Sequence, residues 1–339
     1  MGNVIVLGSM ITDLAARAPR LPRAGEALLG DEFGIFQGGK GFNQAVAAAR
    51  LGAHVTLIGR VGTDGFGDGF LNVLREEGLS DIYVGRDPTA GTGVACVMIG
   101  EDSGQNAIIV LPRANLALTP AIVTQAMQAV LAQLDMQTIL AQSDTHKGYP
   151  YISGVFMAQC EMRMETIAAG LQLARQSGLT TLFNAAPAPR AAFPTDLLLQ
   201  VDILVVNESE ASAIGKTEVD SPETAQQAAA QLLDLGPRQV IITLGAQGAL
   251  WSHRPAAQDA PVSHHWQRAW PMKPVDTTAA GDAFCGALAA SLANGNSMEE
   301  ALQRASAAGA ITVTRLGAFP SLPRASEVEE LLRSKTPPL

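Results

Sequence analysis

The sequence predicts an α/β fold: a doubly wound, mostly parallel sheet flanked by helices. Three observations carry this expectation. Short apolar runs, among them Val4–Leu7, Val155–Ala158 and Ile203–Val206, alternate with longer segments of helical character, the order that builds strand–helix–strand units. Within those runs the apolar residues are continuous rather than alternating, as in strands covered on both faces. The 339 residues are 47% hydrophobic and 16% charged, which supports a large core within one large α/β domain spanning 1–339.

Taken in order, Val4–Leu7 is a buried strand ending in Gly8-Ser9, and Asp13 follows in the turn. Residues 14–36 contain Pro19, Pro22, Gly25 and Gly30, too many breakers for a helix. Leu28–Phe36 suits one strand of a small separate sheet, to which Thr92–Met98 and Ala107–Leu111 add alternating strands. That sheet draws on residues 14–36 and 91–112. Asn43–Leu51 reads as an alanine-rich helix, Val55–Ile58 as a strand, and Gly67–Glu77 as a helix stopped by Gly78. Further on come helix 120–134, strand Val155–Ala158, helix 162–177, and strands Thr180–Phe183 and Ile203–Val206. Helix 222–235, strand Gln239–Leu244 and helices 280–293 and 298–313 complete the alternation. No internal repeat or low-complexity linker interrupts it, and the residues after Ser334 are expected to fray.

Composition removes several function classes. A net charge of −9 speaks against nucleic-acid binding, which needs a basic face. Cys96, Cys160 and Cys285 are scattered and form no Cys-x-x-Cys or disulfide framework, which suits a reducing cytoplasm. The five histidines lack metal-ligand spacing, and His264-His265 reads as solvated polar loop. The chain enters its first strand without a basic, apolar signal region. No apolar run reaches membrane-spanning length, so no membrane partner is expected.

Two stretches carry chemistry. In Asp276-Thr277-Thr278-Ala279-Ala280-Gly281-Asp282-Ala283-Phe284, small residues lead into an aspartate and a helix-compatible run to Leu292. Small residues let backbone N–H groups at a helix start approach a ligand closely, and the helix dipole favours an anion there. A carboxylate beside such an anion hole suits removal of a proton from a hydroxyl attacking phosphorus. On these residues alone, Asp282 as a helix cap is an equal alternative. The second stretch is Gly38-Gly39-Lys40-Gly41-Phe42-Asn43-Gln44-Ala45. Gly34-x-x-x-x-Gly39-Lys40 nearly matches a phosphate-binding Walker loop, but Gly41 stands where Ser or Thr is needed. Gly59-x-x-Gly62-x-x-Gly65 has the wrong spacing for a dinucleotide fingerprint.

Together the two stretches resemble the two signatures of the ribokinase-like (PfkB) family of sugar and nucleoside kinases, in the family's order and separation. The similarity runs from about Val4 to Pro323 and is closest to the family's ribokinase branch. It implies a ribokinase-like fold whose small sheet is a lid over the sugar, and a homodimer formed through that lid. It implies Asp282 as general base, with Ala279, Ala280 and Gly281 offering N–H donors to the γ-phosphate. Asp13, Gly39, Lys40, Asn43 and Glu161 match sugar-contact positions. Asn207, Thr243, Gly245 and Gly248 match nucleotide contacts, together with Gly281. Glu210 matches the family's Mg²⁺-site acid, acting through water. Asp276, Thr278, Gly317 and Ser321 match a monovalent-cation site, so the implied cofactors are ATP, Mg²⁺ and K⁺. Each position also has a plain structural use: a turn for Asp13, a solvated lysine for Lys40, a helix N-terminal acid for Glu161, an N-cap for Asn207, a hairpin turn for 243–248.

The implied activity is ATP-dependent phosphorylation of a primary hydroxyl of a pentose, ribose first. Ile11 stands where ribokinases carry a sugar-binding Asn, and a sugar hydroxyl facing it would lose its partner. That makes 2-deoxyribose a close alternative. Arg113 replaces the Gly of a Gly-Ala-Asn pattern, which keeps a ketose or acidic sugar open. Ser306 stands where a His packs on adenine. Around 134–153 the chain is longer than the family pattern requires, an expected surface insertion. A non-enzymatic alternative is a sugar- or nucleotide-binding sensor that has lost catalysis, against which the intact Gly281-Asp282 speaks.

Overall fold

The structure is a computed structural model that describes residues 1–101, 105–142, 154–189, 193–255 and 261–334. Its strands are β1 Asn3–Leu7, β2 Ile11–Ala18, β3 Glu32–Gly38, β4 His54–Gly62, β5 Val84–Asp87, β6 Gly93–Gly100, β7 Gln105–Leu111, β8 Gly154–Gln159, β9 Thr180–Asn184, β10 Ile203–Asn207, β11 Gln239–Thr243, β12 Ala249–His253 and β13 Ser263–Gln267. Its helices are α1 Lys40–Arg50, α2 Gly65–Glu76, α3 Pro120–Gln142, α4 Met164–Gln176, α5 Thr195–Leu198, α6 Glu208–Gly215, α7 Pro222–Asp234, α8 Ala280–Ala293, α9 Met298–Thr312 and α10 Ala325–Ser334.

A nine-stranded sheet in the order β13-β12-β11-β10-β9-β8-β1-β4-β5 forms the body. It is parallel except at one edge, where β12 pairs antiparallel with β11 and β13. Successive residues of β1 divide between two cores. Val4 and Val6 pack with Phe42, Ala45 and Leu288 beneath α1 and α8. Ile5 and Leu7 pack with Met127, Ile167 and Leu232 beneath α3, α4 and α7. Burial on both faces is why the strand runs are continuously apolar. A separate four-stranded sheet, β3-β2-β6-β7, makes the lid.

Several expectations need correction. Asp13 is not in a turn but inside β2, opposite Phe36 of β3 and Ala95 of β6. The breakers Pro19, Pro22, Gly25 and Gly30 all fall between β2 and β3, so they end two strands rather than dissolve one segment. The lid therefore begins at Ile11, and the strand expected over Leu28–Phe36 begins at Glu32. His264-His265 lies in the edge strand β13, where His264 Nδ1 and Ser252 Oγ are 2.8 Å apart and His265 stacks on Trp251. β5, α5, α6 and α10 were not anticipated; the first three are short, while α10 is an amphipathic ten-residue helix that was overlooked. Part of the anticipated insertion continues α3 as far as Gln142, while 143–153 lie outside the described residues.

Helix α8 is buried from Asp282 to Ser291, so it runs through the protein rather than over it. It lies tightly on α1. A Cβ added to Gly286 would fall 2.5 Å from Ala47 Cβ and 2.7 Å from the Gln44 carbonyl oxygen. Where α1 begins, a Cβ on Gly41 would sit 2.1 Å from Gly8 Cα at the end of β1. Only glycine allows these approaches. Gly286→Ala is expected to destabilise the protein by about 2 kcal/mol through overpacking, read as a lowered urea midpoint at constant m-value. An unchanged midpoint would mean the two helices are not in close contact.

Candidate active site

The first turns of α1 and α8 meet at the carboxyl edge of the sheet, where doubly wound sheets bind ligands. Helix α1 starts from Gly39, whose φ of 90° is open to glycine and strained for other residues. A Cβ there would lie 2.7 Å from the Ile11 nitrogen, and one on Gly38 would lie 2.7 Å from Asp13 Oδ2. The glycines thus let α1 sit against the lid strand that carries Asp13. The Lys40 N–H donates to Glu161 Oε2 at 2.9 Å, and Ser9 Oγ donates to the same oxygen at 2.5 Å. Glu161 is therefore tied to the start of α1 instead of capping α4, whose N-cap is Arg163.

Asp282, in the first turn of α8, is buried. Asn43 Nδ2 donates to its Oδ2 at 2.9 Å, and Gln44 Nε2 donates to its Oδ1 at 3.0 Å. Asn43 Oδ1 is buried without a partner, an acceptor whose desolvation a ligand hydroxyl would offset. Asp13 is pushed up to about 6, first by burial and then by the charges of Glu161 and Asp282. Glu161 is raised by burial, and Lys40 and Ser9 offset only part of that. Burial alone would lower Lys40, but the carboxylates of Asp282, Glu161 and Glu210 outweigh it and keep the ammonium charged. Asp13, Glu161 and Asp282 thus share one acidic pocket with Lys40.

Beside the first turn of α8 opens a cavity of about 410 Å³. Thr243, Gly245, Gly248, Ala280 and Gly281 line it, with Trp270, Phe284 and Ser306 among its other walls. Gly245 and Gly248 form the turn between β11 and β12 with φ of 51° and 103°, so the anticipated hairpin and the cavity wall are one feature. A Cβ on Gly281 would meet nothing within 4 Å. Helix geometry leaves its N–H without an acceptor one turn earlier. Ala279 holds the left-handed φ of 60° that starts α8, and the Ala280 N–H makes a long 3.3 Å bond to Thr277 O. Ser306 Oγ donates to the Arg268 carbonyl at 3.4 Å.

Asn207 ends β10 beside Thr243 of β11. It forms a capping box with Glu210: its Oδ1 accepts from the Glu210 N–H at 2.8 Å, and Glu210 Oε2 accepts from the Asn207 N–H at 2.9 Å. The capping use foreseen for Asn207 is therefore real, and the buried Glu210 is raised by that burial. Among the described residues, no three His, Cys, Asp or Glu are placed together to hold a metal ion. A divalent ion here would rest on phosphate oxygens and water, with Glu210 behind it.

Asp276 gathers two loops. Its Oδ1 accepts from the Thr278 N–H and hydroxyl at 2.9 and 2.6 Å, and its Oδ2 from the Gly317 N–H at 2.9 Å. These bonds, above all those to Thr278, outweigh burial and hold it below the usual carboxylate range. Ser321 is not in that set; its hydroxyl donates to Ala318 O at 2.7 Å. Arg113 has a φ of 47°, which explains a glycine preference there. Its exposed guanidinium donates to Thr92 O at 3.1 Å.

Ser9, Gln44, Gln159 and Asn184 were missed by sequence reasoning. The signal was available: Gln44 and Gln159 are polar residues inside otherwise apolar, buried runs, and such groups need specific partners.

Comparisons with known proteins identify the family. Residues 1–325 match the pfkB family carbohydrate kinase model. The chain is 37% identical to a ribokinase of Mus musculus over 324 residues, covering 94% of this chain and 91% of that one. It is 31% identical to a deoxyribokinase of Salmonella typhi over 330 residues, covering 97% and 98%. The solved structure of Arabidopsis thaliana ribokinase complexed with ribose and ATP superposes with a TM-score of 0.82 at 28% identity, covering 98% of this chain and 99% of that one. With matching signatures at the meeting point of α1 and α8, the chain belongs to the pfkB family of carbohydrate kinases.

Proposed function

We propose that the protein transfers the γ-phosphoryl group of ATP to a primary hydroxyl of a pentose, ribose first, with Asp282 as general base. The observation that carries this is Asp282 itself: a buried carboxylate fixed through both oxygens, electrostatically coupled to Asp13 and Glu161 and next in sequence to Gly281 of the cavity wall. The solved complex with ribose and ATP and the mouse ribokinase support the substrate class.

In this reaction Asp13 accepts two sugar hydroxyls, Asn43 Oδ1 accepts another, and Gly39, Lys40 and Glu161 complete the sugar pocket. Asp282 takes the proton of the primary hydroxyl as its oxygen bonds to the γ-phosphorus and the bond to the ADP oxygen breaks. The N–H groups of Ala279, Ala280 and Gly281 face the charge gathering on the γ-phosphate oxygens; preorganised donors of this kind are a large catalytic contribution. Asn207, Thr243, Gly245 and Gly248 hold the nucleotide. Glu210 would hold Mg²⁺ through water, and the ion when bound neutralises phosphate charge. The carboxylate and hydroxyl oxygens of Asp276 and Thr278 would suit K⁺, with Gly317 and Ser321 as further expected contacts although Ser321 is not bonded to the Asp276 set.

A specific observation favours 2-deoxyribose as the second reading. Ile11 is buried between its partners Gly38 and Gly93, so the pocket gains no hydrogen-bonding group at that position. An acidic sugar is disfavoured by the charges of Asp13 and Glu161. Two copies would pair through the lid, where Phe33, Ile35 and Ile109 are exposed on one face of the sheet, Ile35 and Ile109 in register through Leu14 and Cys96. Among the described residues no helix is long and apolar enough to cross a membrane. The unpaired Cys96, Cys160 and Cys285 fit a reducing cytoplasm.

Asp282→Asn is expected to lower kcat at least about 1,000-fold with nucleotide affinity retained; near-normal kcat would remove Asp282 from the chemistry. Ile11→Asn is expected to raise kcat/KM for ribose relative to 2-deoxyribose, and an unchanged ratio would show that position 11 does not face the sugar 2-position. Asp13 gives a pH test. Its folded value of about 6 lies above the ordinary 3.8, so its stabilising contribution is full below about pH 3.8 and is lost as pH rises through about 6. Asp13→Asn should therefore raise the Tm of the ligand-free protein near pH 8, by an amount that shrinks to nothing near pH 4. Sugar affinity should fall in the variant near pH 8, and in the wild type as pH drops below about 6, where the two should converge. A variant equally unstable at both pH values would show that Asp13 is not strained by its surroundings.

A further inference from the structure

Gln44 is the residue after Asn43, and it is fully buried. Its Nε2 donates to Asp282 Oδ1 and to Asn184 Oδ1, both at 3.0 Å. Its Oε1 accepts from Gln159 Nε2 at 2.8 Å. Asn184 Nδ2 in turn donates to the Val205 carbonyl at 3.1 Å. The result is a buried chain of carboxamides running from the main chain of β10, through the ends of β9 and β8, to the carboxylate on α8.

The chain has a direction, and chemistry sets it at both ends. An ionised carboxylate and a main-chain carbonyl can only accept. The carbonyl of Val205 therefore takes the Asn184 nitrogen, which turns Asn184 Oδ1 toward Gln44. Asp282 Oδ1 likewise demands a nitrogen. Both N–H bonds of Gln44 are then committed, one to each acceptor, and its oxygen is left to face Gln159. No other orientation of Gln44 satisfies both neighbours, and reversing it would set oxygen against oxygen in a buried site. Asn43 holds the other oxygen of Asp282 through Nδ2, and in the proposed reaction it also offers its free Oδ1 to the sugar. Gln44 is fully buried, with every polar atom of its side chain committed to Asp282, Asn184 or Gln159.

We propose that Gln44 is a positioning residue for Asp282, its carboxamide locked by Gln159 and Asn184 so that the base carboxylate keeps one orientation while the sugar binds and reacts. This rests on the kinase reading for its effect on turnover, but not for its effect on geometry. The test uses the full-length protein carrying Gln44→Met, which keeps the volume and removes both donors, and Gln159→Met, which removes the donor that holds Gln44.

For Gln44→Met the expected result is a fall in kcat of about 100-fold with the KM values for sugar and ATP within about threefold, as for a misplaced catalytic group. Gln159→Met should show the same pattern at about tenfold. A loss confined to KM, or kcat within about threefold of wild type, overturns the proposal. Should Gln44→Met not fold, Gln159→Met is read by the same criteria. Crystal structures of the wild type and the foldable variants give the second readout. Rotation of the Asp282 carboxylate away from its wild-type orientation supports the proposal, and an unmoved carboxylate overturns it. A wild type that phosphorylates no sugar would contradict the kinase reading, while the crystal structures would still decide the role of Gln44.

Discussion

The structure depends on the contact between α1 and α8. Gly286 lets the two helices approach until a methyl group would not fit between them. Both helices begin at the same edge of the sheet, so their first turns converge there. Asn43 and Gln44 project from α1 onto Asp282 at the start of α8. A wider spacing would leave a buried carboxylate without donors, which is costly. Packing between small residues therefore sets the geometry of a charged group.

The same convergence explains the electrostatics. The acids Asp13, Glu161, Asp282 and Glu210 act on one another near Lys40. Such a pocket suits a neutral polyol with many hydroxyls and is hostile to an anion. A triphosphate must be met from the other side, where the cavity walls are mostly apolar and glycine-rich and the α8 N-terminus offers N–H groups. In the proposed reaction Asp282 joins these two environments. The raised values of Asp13 and Glu161 are the stability cost of burying these carboxyls beside one another and beside Asp282.

Much of this was legible in the sequence. Continuous apolar runs identified the parallel strands because both faces of each are buried, as the division of β1 between two cores illustrates. The glycines at 38, 39 and 41 were legible because close approach leaves room for little else, and the Ala-Ala-Gly before Asp282 because small residues leave the start of α8 open. The lid was read less well. β2 begins at Ile11, and its start is set by pairing to Gly38 and Gly93, residues distant in sequence, so local pattern placed Asp13 in a turn. β13 was hidden because an exposed edge strand carries polar residues such as His264 and His265. Gln44, Gln159 and Asn184 escaped because a carboxamide's role lies in its partners, and those are separated by more than a hundred residues in the chain.

The most direct test of the account is a crystal structure of the complex with ribose and a non-hydrolysable ATP analogue. The account predicts an Asp282 carboxylate oxygen about 2.6–3.2 Å from the sugar's primary hydroxyl, with the terminal phosphate over the N–H of Gly281. A sugar bound with its primary hydroxyl out of reach of Asp282, or a triphosphate ending away from the start of α8, would contradict it.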